Sequence, residues 1–380
     1  MGGSELIGKE EKDALCEVID RGAVLLRYGF DSQRGDIFRV GEFEKKFAAY
    51  AGSGYALAVS SGSAALQVAL KAAGVGPGDE VITQAFTFVA SAEAIIEAGA
   101  VPVICDVDKS LNLDPEDFRK KITGKTKAVL PVHMLGAPAD LDEIVRIADE
   151  RGIAVIEDSC QACGSSYKGR KTGSIGRIGC FSFDYVKTIT TGEGGMVVTD
   201  DEDLYRKASE YHDHGHEHRT DVPRGMDTRT IPGFNFRMSE LAGAVGIVQL
   251  SRLDDVLREQ RINKGLLKSK IDGSGVEFRM HHDEAGDGGD TLIFFLENNM
   301  KAAKVEKSLS EKGIPTKILP SALDWHFAGR WLHMKEHLRP ENEAWEKTGE
   351  LLNRAIAIPI SVRMEEGYIR DIAAAVNSAL

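Results

Sequence analysis

Lys187 lies in a stretch whose composition differs from that around an ordinary surface lysine. The stretch, 181–195, is rich in Thr and Gly and joins two strand-like runs at 178–184 and 194–200. A lysine that is desolvated, or crowded by a second cation, loses its proton more readily and becomes a nucleophile toward carbonyl groups. The lysine by itself does not exclude the plainer interpretation of a surface residue before a turn.

Small residues at 60–65 come directly before an apolar, helix-like run at 67–73. Small residues at a helix start leave backbone N–H groups exposed, and the helix dipole adds partial positive charge. Gly62 and Ser63 are therefore candidates for binding a phosphate. Ser63 acting only as an N-cap would explain the same residues without a ligand.

Asp158 ends a run, 153–159, that the sequence predicts to be a buried strand. A carboxylate in that place is costly unless it meets a cation or a hydrogen-bond donor, and a protonated aromatic ring nitrogen is such a partner. Capping of the next loop is the alternative for an isolated Asp. Cys160 and Cys163 form a C-x-x-C pair, but no second pair or histidine stands at zinc spacing, so a metal or redox role is not favoured.

The elements that must position these residues alternate between strand-like and helix-like runs. The strand-like runs are 80–86, 101–107, 127–133 and 153–159, and the helix-like runs between them are 88–99, 114–122 and 139–152. Such alternation predicts an α/β fold with a mostly parallel sheet wrapped by helices. Ligands gather at the carboxyl ends of the strands in this architecture, so His133 and Asp158 are expected to point into one crevice.

The C-terminal third repeats the alternation on a smaller scale. A long helix-like segment, 239–271, is followed by a loop rich in Gly and Asp at 281–290, and then by strand-like, helix-like and strand-like runs. We predict a large domain at 1–255 and a smaller α/β domain at 256–380. A helix predicted over 12–21 packs back on one of the two, and the sequence does not say which.

Charge and hydropathy exclude several classes of protein. The net charge of -12 argues against a general nucleic-acid binder, which needs a surplus of Lys and Arg. There is no apolar run of about 18 residues and no signal-peptide core, so we expect a cytoplasmic protein without a membrane span. The 5 cysteines are scattered and do not indicate a disulfide framework.

Several of these motifs, taken in order, resemble the DegT/DnrJ/EryC1/StrS family of pyridoxal-phosphate (PLP) dependent sugar aminotransferases. The resemblance covers nearly the whole chain. The segments that carry it are 61–66, 78–90, 131–140, 157–161, 181–195 and 233–240. It implies aminotransferase fold type I, PLP as the cofactor and a sugar and an amino donor as substrates.

The resemblance also implies roles for individual residues. Lys187 would hold the cofactor covalently and then act as acid and base, while Asp158 would pair with the pyridine nitrogen. The other implied cofactor contacts are Gln161 near the ring hydroxyl, Phe88 on the ring face, and Gly62, Ser63 and Ser182 on the phosphate. Asn235 of one subunit would reach the phosphate in its neighbour, which implies a homodimer with shared active sites.

The substrate is indicated by a narrower resemblance. The segments 27–31, 183–190, 213–216 and 324–327 resemble one branch of the family. That branch transfers an amino group from glutamate to C8 of a 3-deoxy-octulosonate sugar, giving an amino sugar of some outer-membrane lipopolysaccharides. Such a substrate carries a carboxylate, which His and Arg can recognise. The candidate substrate contacts are Tyr28, His214, His216, Arg237 and His326, with Arg27 as an alternative from the same segment.

Four histidines alternate with other residues in 211–218. In an extended strand every second residue shares a face, so four imidazoles there could line up as a metal site. Aminotransfer needs no metal and no carboxylate pair completes the site, so we expect none.

Four other functions are alternatives to aminotransfer to an octulosonate. A nucleotide-binding dehydrogenase needs G-x-G-x-x-G, and the glycines at 173, 176 and 179 have the wrong spacing. A sensor without activity is not indicated, because Lys187, Asp158 and Gln161 are all present. Within the family, amination of a nucleotide-linked keto-hexose stays open. A sugar 3-dehydratase would carry His in place of Lys187.

Overall fold

A seven-stranded sheet forms the centre of the chain. The structure is a computed structural model, and it describes residues 2–219, 221–339 and 345–380. The strands are β1 (Tyr55–Val59), β2 (Glu80–Gln84), β3 (Val101–Cys105), β4 (Thr126–Leu130), β5 (Ala154–Asp158), β6 (Ser166–Tyr167), β7 (Arg170–Lys171), β8 (Ile178–Ser182), β9 (Gly195–Thr199), β10 (Glu277–Phe278), β11 (Thr291–Phe295) and β12 (Ala355–Pro359).

The large sheet has the strand order β1-β9-β8-β5-β4-β2-β3. All pairs from β8 to β3 are parallel, whereas β9 runs antiparallel to both of its neighbours. The predicted α/β fold with a mostly parallel sheet is therefore confirmed. The carboxyl ends of β2, β4, β5 and β8 meet at one edge, and this is the edge at which ligands bind in such sheets.

Helices cover the sheet and continue into the C-terminal part. The α-helices are α1 (Lys9–Asp20), α2 (Asp31–Arg34), α3 (Arg39–Ala51), α4 (Gly62–Ala72), α5 (Ala90–Glu97), α6 (Pro115–Lys121), α7 (Leu141–Asp149), α8 (Glu202–His212), α9 (Glu240–Ser251), α10 (Leu253–Lys270), α11 (Asn299–Glu311), α12 (Leu323–His326), α13 (Glu346–Asn353) and α14 (Glu366–Asn377). No helix among the described residues has the length and apolar character needed to cross a membrane.

Local sequence explains where several helices begin. The Asp114 side chain accepts the Glu116 N–H and Pro115 occupies the first helical position, as a capped helix start requires. In α7 the buried residues Leu141, Ile144, Ile147 and Ala148 recur at helical spacing, which turns one face toward the sheet.

The C-terminal part differs from the sequence prediction in two places. The helix-like segment 239–271 is interrupted at Arg252, where α9 ends and α10 begins. The run at 314–319 forms no strand; the partner of β11 is β12, which pairs with it antiparallel. The run at 314–319 and the run that forms β12 are both apolar, so apolar character alone does not tell which of them becomes a strand. A strand also needs a partner within hydrogen-bonding distance.

The N-terminal helix α1 packs on α9, and thus on the large domain predicted from the sequence. Glu11 is buried and accepts hydrogen bonds from Gln249 at 2.9 Å and from Arg252 at 2.8 Å. The buried carboxylate is therefore matched by donors, as burial of a charge requires.

Aromatic rings fill the layer beneath the start of the 181–195 segment. Phe43 and Phe47 of α3 lie against Phe181 and Phe183, with ring centroids 4.9 to 5.5 Å apart across the two elements. All four side chains are buried. This packing fixes the direction of the side chains at the end of β8. Ser182 lies between the two phenylalanines in sequence, so it faces the other side of the sheet.

His282 ties the 281–290 loop to the large sheet. Its Nε2 lies 3.0 Å from Asp108 Oδ2, and its Nδ1 lies 3.5 Å from Asp140 Oδ2. Burial by itself would lower the pKa of His282, but Asp108, helped by Asp140, raises it above its ordinary value.

We expect His282→Gln to lower the free energy of unfolding at acidic pH and to have little effect at alkaline pH. The folded-state pKa lies above the unfolded value of about 6.5, so the stabilisation is fully present below that value and is lost as the pH rises through the folded pKa. The loss should be about 1 kcal/mol at most, since the pair is partly solvated.

Urea denaturation of both proteins at acidic and alkaline pH measures this difference. The exposed His337, replaced by Gln, serves as the control and should show no such dependence. An equal loss of stability for His282→Gln at both pH values would contradict the expectation.

Candidate active site

A cavity of about 430 Å³ opens at the carboxyl edge of the large sheet. Most of the cofactor residues predicted from the sequence line it, namely Gly62, Ser63, Phe88, Asp158, Gln161, Ser182 and Lys187. Asn235 does not line it. The sheet topology explains the convergence, because β1, β2, β5 and β8 each lead directly into one of the lining segments.

Lys187 is half-buried in the turn between β8 and β9. Its backbone is fixed by a hydrogen bond from its N–H to the Asp184 carbonyl (3.0 Å), and its own carbonyl accepts the Gly3 N–H (3.3 Å). The Nζ makes no hydrogen bond or ion pair with another residue in the described part of the chain. An amine that is directed into a cavity without a carboxylate partner is available as a nucleophile.

Asp158 is buried at the end of β5, and both of its carboxylate oxygens accept hydrogen bonds. Ser91 Oγ donates to Oδ2 at 2.9 Å, and the Cys160 N–H donates to Oδ1 at 3.1 Å. Ser91 in turn lies 2.8 Å from Thr87 Oγ1. These contacts fix the carboxylate while one side of it faces the cavity.

The start of α4 has the geometry that binding of an anion requires. Ser61, rather than Ser63, is the N-cap, and its hydroxyl accepts the Ala64 N–H at 3.0 Å. Ser63 is exposed to the cavity and is not needed for capping. A Cβ on Gly62 would lie 2.7 Å from Ser182 Cβ and 3.2 Å from Cys160 Sγ, so glycine is required for this close approach.

Phe88 and Gln161 lie on two further walls. Phe88 is 39% exposed, and its ring stacks on that of Trp325 at a centroid distance of 6.2 Å. Gln161 Oε1 accepts the Leu135 N–H at 3.3 Å, which orients the amide. The ring of His326 is 5.4 Å from that of Phe88, and it belongs to a segment whose backbone pairs with 86–89.

His133 does not point into the crevice, so that sequence prediction is wrong. It is fully buried; its Nε2 lies 3.0 Å from Glu157 Oε2, and its Nδ1 accepts the Ala139 N–H at 3.0 Å. Glu157 also accepts N–H groups from the segment 173–176. Burial would raise the pKa of Glu157, but His133 and these N–H groups hold it below its usual value.

Of the five candidate substrate contacts, only His326 lines the cavity. Tyr28 and Arg237 lie elsewhere, the first with its OH 3.3 Å from His212 Nε2 and the second paired with Asp213. His214 is exposed, whereas His216 is buried with its Nε2 3.1 Å from Arg229. Arg27, the alternative to Tyr28, is buried against Glu44.

The histidines of 211–218 do not form the extended strand that the alternation suggested. His212 ends α8, and His214 and His218 have positive φ values of 56° and 55°, which break the two-residue repeat. No group of side chains suited to a metal ion occurs among the described residues.

Two charged residues of the cavity, Asp290 and Lys317, come from the C-terminal part and were not predicted from the sequence. Lys317 Nζ lies 2.5 Å from Asp290 Oδ2. Burial would raise the pKa of Asp290, but Lys317 holds it below its usual value, so the carboxylate stays charged. The only sequence signal was the Gly- and Asp-rich loop 281–290, whose last residue is Asp290.

We expect Gly62→Ala to weaken the binding of a phosphate-bearing ligand by about tenfold or more, because the added Cβ must displace Ser182 or α4. Fluorescence titration with PLP measures the effect. Gly76→Ala is the matched control, since its Cβ meets nothing within 4 Å. Unchanged affinity for Gly62→Ala would contradict binding of the phosphate at the start of α4.

The pattern that defines the DegT/DnrJ/EryC1/StrS aminotransferase family matches residues 17–377. The spore coat polysaccharide biosynthesis protein SpsC of Bacillus subtilis is 33% identical to the chain, over 98% of this chain and 95% of that protein. A GDP-perosamine synthase of Caulobacter vibrioides is 42% identical over 60% of this chain and 61% of that protein.

Solved structures agree with this assignment. An aminotransferase from Psychrobacter cryohalolentis superposes with a TM-score of 0.87 at 30% identity, covering 98% of this chain and 96% of that chain. S. venezuelae DesV, solved in complex with a ketimine intermediate, gives 0.84 at 28% identity, covering 97% and 94%. The chain therefore belongs to the DegT/DnrJ/EryC1/StrS aminotransferase family and is a PLP-dependent sugar aminotransferase.

Proposed function

We propose that the chain transfers an amino group from glutamate to C8 of a 3-deoxy-octulosonate sugar, as a step in lipopolysaccharide synthesis. The catalytic part of this proposal is supported by one observation. Lys187, Asp158 and the helix start at Gly62–Ser63 line the same cavity. The observation that favours an acidic sugar is the cation Lys317 in the same cavity.

The cavity residues fit the functional groups of PLP. The helix start at Gly62 and the hydroxyls of Ser63 and Ser182 would hold the phosphate, because Gly62 keeps the backbone close to Ser182. Phe88 would lie on the ring face and Gln161 near the ring hydroxyl. When bound, PLP supplies an electron sink for negative charge at the carbon that exchanges its amino group.

Asp158 would pair with the protonated ring nitrogen. Its two oxygens are already oriented by Ser91 and by the Cys160 N–H, so little rearrangement is needed to receive that partner. Lys187 Nζ would form the covalent link to the cofactor and would then move the proton at the carbon that exchanges its amino group. The fixed backbone of Lys187 supports this role by limiting where the amine can lie.

A homodimer would complete the site. Asn235 is exposed and lies outside the cavity of its own chain, so its amide N–H groups would be available to the phosphate of a neighbouring subunit, while its Oδ1 accepts the Arg237 N–H at 3.3 Å. The Asn235 segment pairs with Asp213, which also binds Arg237.

We therefore propose that Tyr28, His214 and Arg237 contact substrate in the neighbouring subunit, whereas buried His216 supports their loop. Each subunit would comprise a large domain at 1–255 and a small domain at 256–380.

His326 and Lys317 would recognise the sugar. The His326 Nδ1–H donates to the Ala322 carbonyl at 2.9 Å, which leaves Nε2 as an acceptor for a sugar hydroxyl. Burial, together with the charge of Lys187, lowers the pKa of His326 and keeps it neutral. Lys317 has one N–H on Asp290 and further N–H groups for a substrate carboxylate.

Amination of a nucleotide-linked keto-hexose is the second candidate. It is favoured by the similarity to GDP-perosamine synthases, among them one of Escherichia coli O157:H7 that is 39% identical over 70% of this chain. A dehydratase is disfavoured by the lysine at 187. The two aminotransferase candidates differ in the acceptor alone, so acceptor turnover distinguishes them.

We expect purified protein with PLP to be yellow, and borohydride to fix the cofactor covalently on Lys187. Lys187→Ala should lose the fixed adduct and the transamination of glutamate, because no other amine in this cavity is free of an ion pair among the described residues. Absorbance and peptide mass spectrometry measure this. The exposed Lys168, replaced by Ala, should retain both; an unchanged adduct in Lys187→Ala would refute the assignment.

Lys317→Gln should raise the KM for a free 3-deoxy-octulosonate acceptor by about tenfold, since one charge-assisted contact is lost, and should change kcat less. Steady-state kinetics with glutamate as donor measures it. The double variant Asp290→Asn/Lys317→Gln separates lost recognition from an unpaired carboxylate, and exposed Lys304→Gln is the control. Turnover of nucleotide-linked hexoses alone would refute the octulosonate substrate.

A further inference from the structure

A second cavity, of about 210 Å³, lies in the C-terminal part between α10 and the loop 281–290. It shares no lining residue with the active-site cavity. Its floor is apolar and consists of Phe278, Leu292 and Ile293. Pockets for drug-sized ligands occupy about 300–1,000 Å³, so an occupant of this pocket would be small.

The walls of this pocket are cationic. Arg261, Lys264 and Lys268 stand three and four residues apart on α10 and therefore share one helix face. Arg279 adds a fourth cation, and the lining carboxylates are Glu284 and Asp287. The pocket thus has two surplus positive charges in a chain whose net charge is -12.

Arg279 is buried, and its hydrogen bonds go to neutral groups. It is 5% exposed, and its guanidinium donates to neutral oxygens, the Ser110 carbonyl at 2.5 Å and the Leu135 carbonyl and Asn112 Oδ1 at 3.4 Å. It forms no ion pair within 4 Å among the described residues. Burial lowers the pKa of Arg279 to about 10, against the opposing effect of the nearby carboxylates Asp287, Asp108 and Asp290.

Two buried polar atoms in the pocket wall also lack partners. His281 Nδ1 and Asp287 Oδ1 have no hydrogen-bond partner among the described residues, and they lie 3.8 Å apart. The His281 side chain is only 10% exposed. An unmet polar atom in such a place is costly, and native structures contain few of them, so His281 Nδ1 indicates a missing hydrogen-bond acceptor. The charge of Asp287 is matched by Lys264, whose Nζ lies 2.6 Å from Asp287 Oδ2.

We propose that this pocket binds a small anion that carries a phosphate group or two carboxylates. The anion would place its negative charge between Arg279 and the cations of α10, and His281 would supply a hydrogen bond from Nδ1. Charge-assisted hydrogen bonds of this kind are the stronger ones, particularly where water is excluded. The apolar floor would hold the carbon part of an organic anion.

The ionisation of His281 agrees with an anion site. Burial lowers its pKa to about 2, and Arg279, Lys264 and Lys268 contribute. The imidazole is therefore neutral at pH 7 in the free protein. A bound anion offsets those cations, so occupancy would raise the pKa of His281.

The test uses the PLP-loaded protein, whose cofactor phosphate site is filled, and two probes, inorganic phosphate and succinate. Calorimetry should detect saturable binding of at least one probe at neutral pH, and the NMR resonances of the His281 imidazole should shift with saturation. Arg261→Gln/Lys268→Gln should weaken binding by about tenfold or more. Both side chains are partly solvated, so the double variant should fold normally, which circular dichroism checks.

Lys270→Gln is the matched control, because Lys270 lies on the same helix but does not line the pocket. It should bind the probe like the unmodified protein. Preference for phosphate or for succinate identifies the class of ligand. Equal affinity of the double variant and the control, or unchanged His281 resonances at saturation, would overturn the proposal, as would the absence of saturable binding for both probes.

Discussion

The structure depends most on one buried carboxylate, Asp158, at the end of a central strand. A charge in this position must find donors, and Ser91 and the Cys160 N–H provide them on both oxygens. Ser91 comes from α5, which follows β2, so the contact fixes that helix start against β5. Since Phe88 lies in the same connection, the position of the aromatic wall follows from the position of the carboxylate.

Strand alternation explains why the neighbouring Glu157 has different partners from Asp158. Successive side chains of a strand point to opposite faces, so Glu157 points away from Asp158 and enters the core. There it is matched by His133 and by backbone N–H groups of 173–176. The two carboxylates are adjacent in sequence, yet one orients a loop under the sheet and the other faces the cavity.

The sequence predicted those strands and helices that depend on local patterns of residues. The alternating apolar runs gave β2 to β5 within a few residues, and Asp114-Pro115 gave the start of α6. Gly62, Ser63 and Lys187, each in a short, contiguous segment, were also predicted as site residues, and all three line the cavity. Whether His133 faced the crevice could not be predicted, since that depends on a backbone bend after β4 and on a partner, Glu157, on another strand.

The rest of the cavity arises from contacts between distant segments, which no local pattern reveals. Asp290 and Lys317 are separated from Lys187 by more than a hundred residues, and they reach the cavity because β11 and β12 form their own sheet beside the large one. The resulting cavity contains two lysines in unlike settings. Lys317 is paired with Asp290, whose pKa it lowers, whereas Lys187 has no such partner among the described residues. In the proposed function, recognition and catalysis would thus be divided between two lysines by the presence or absence of one carboxylate partner.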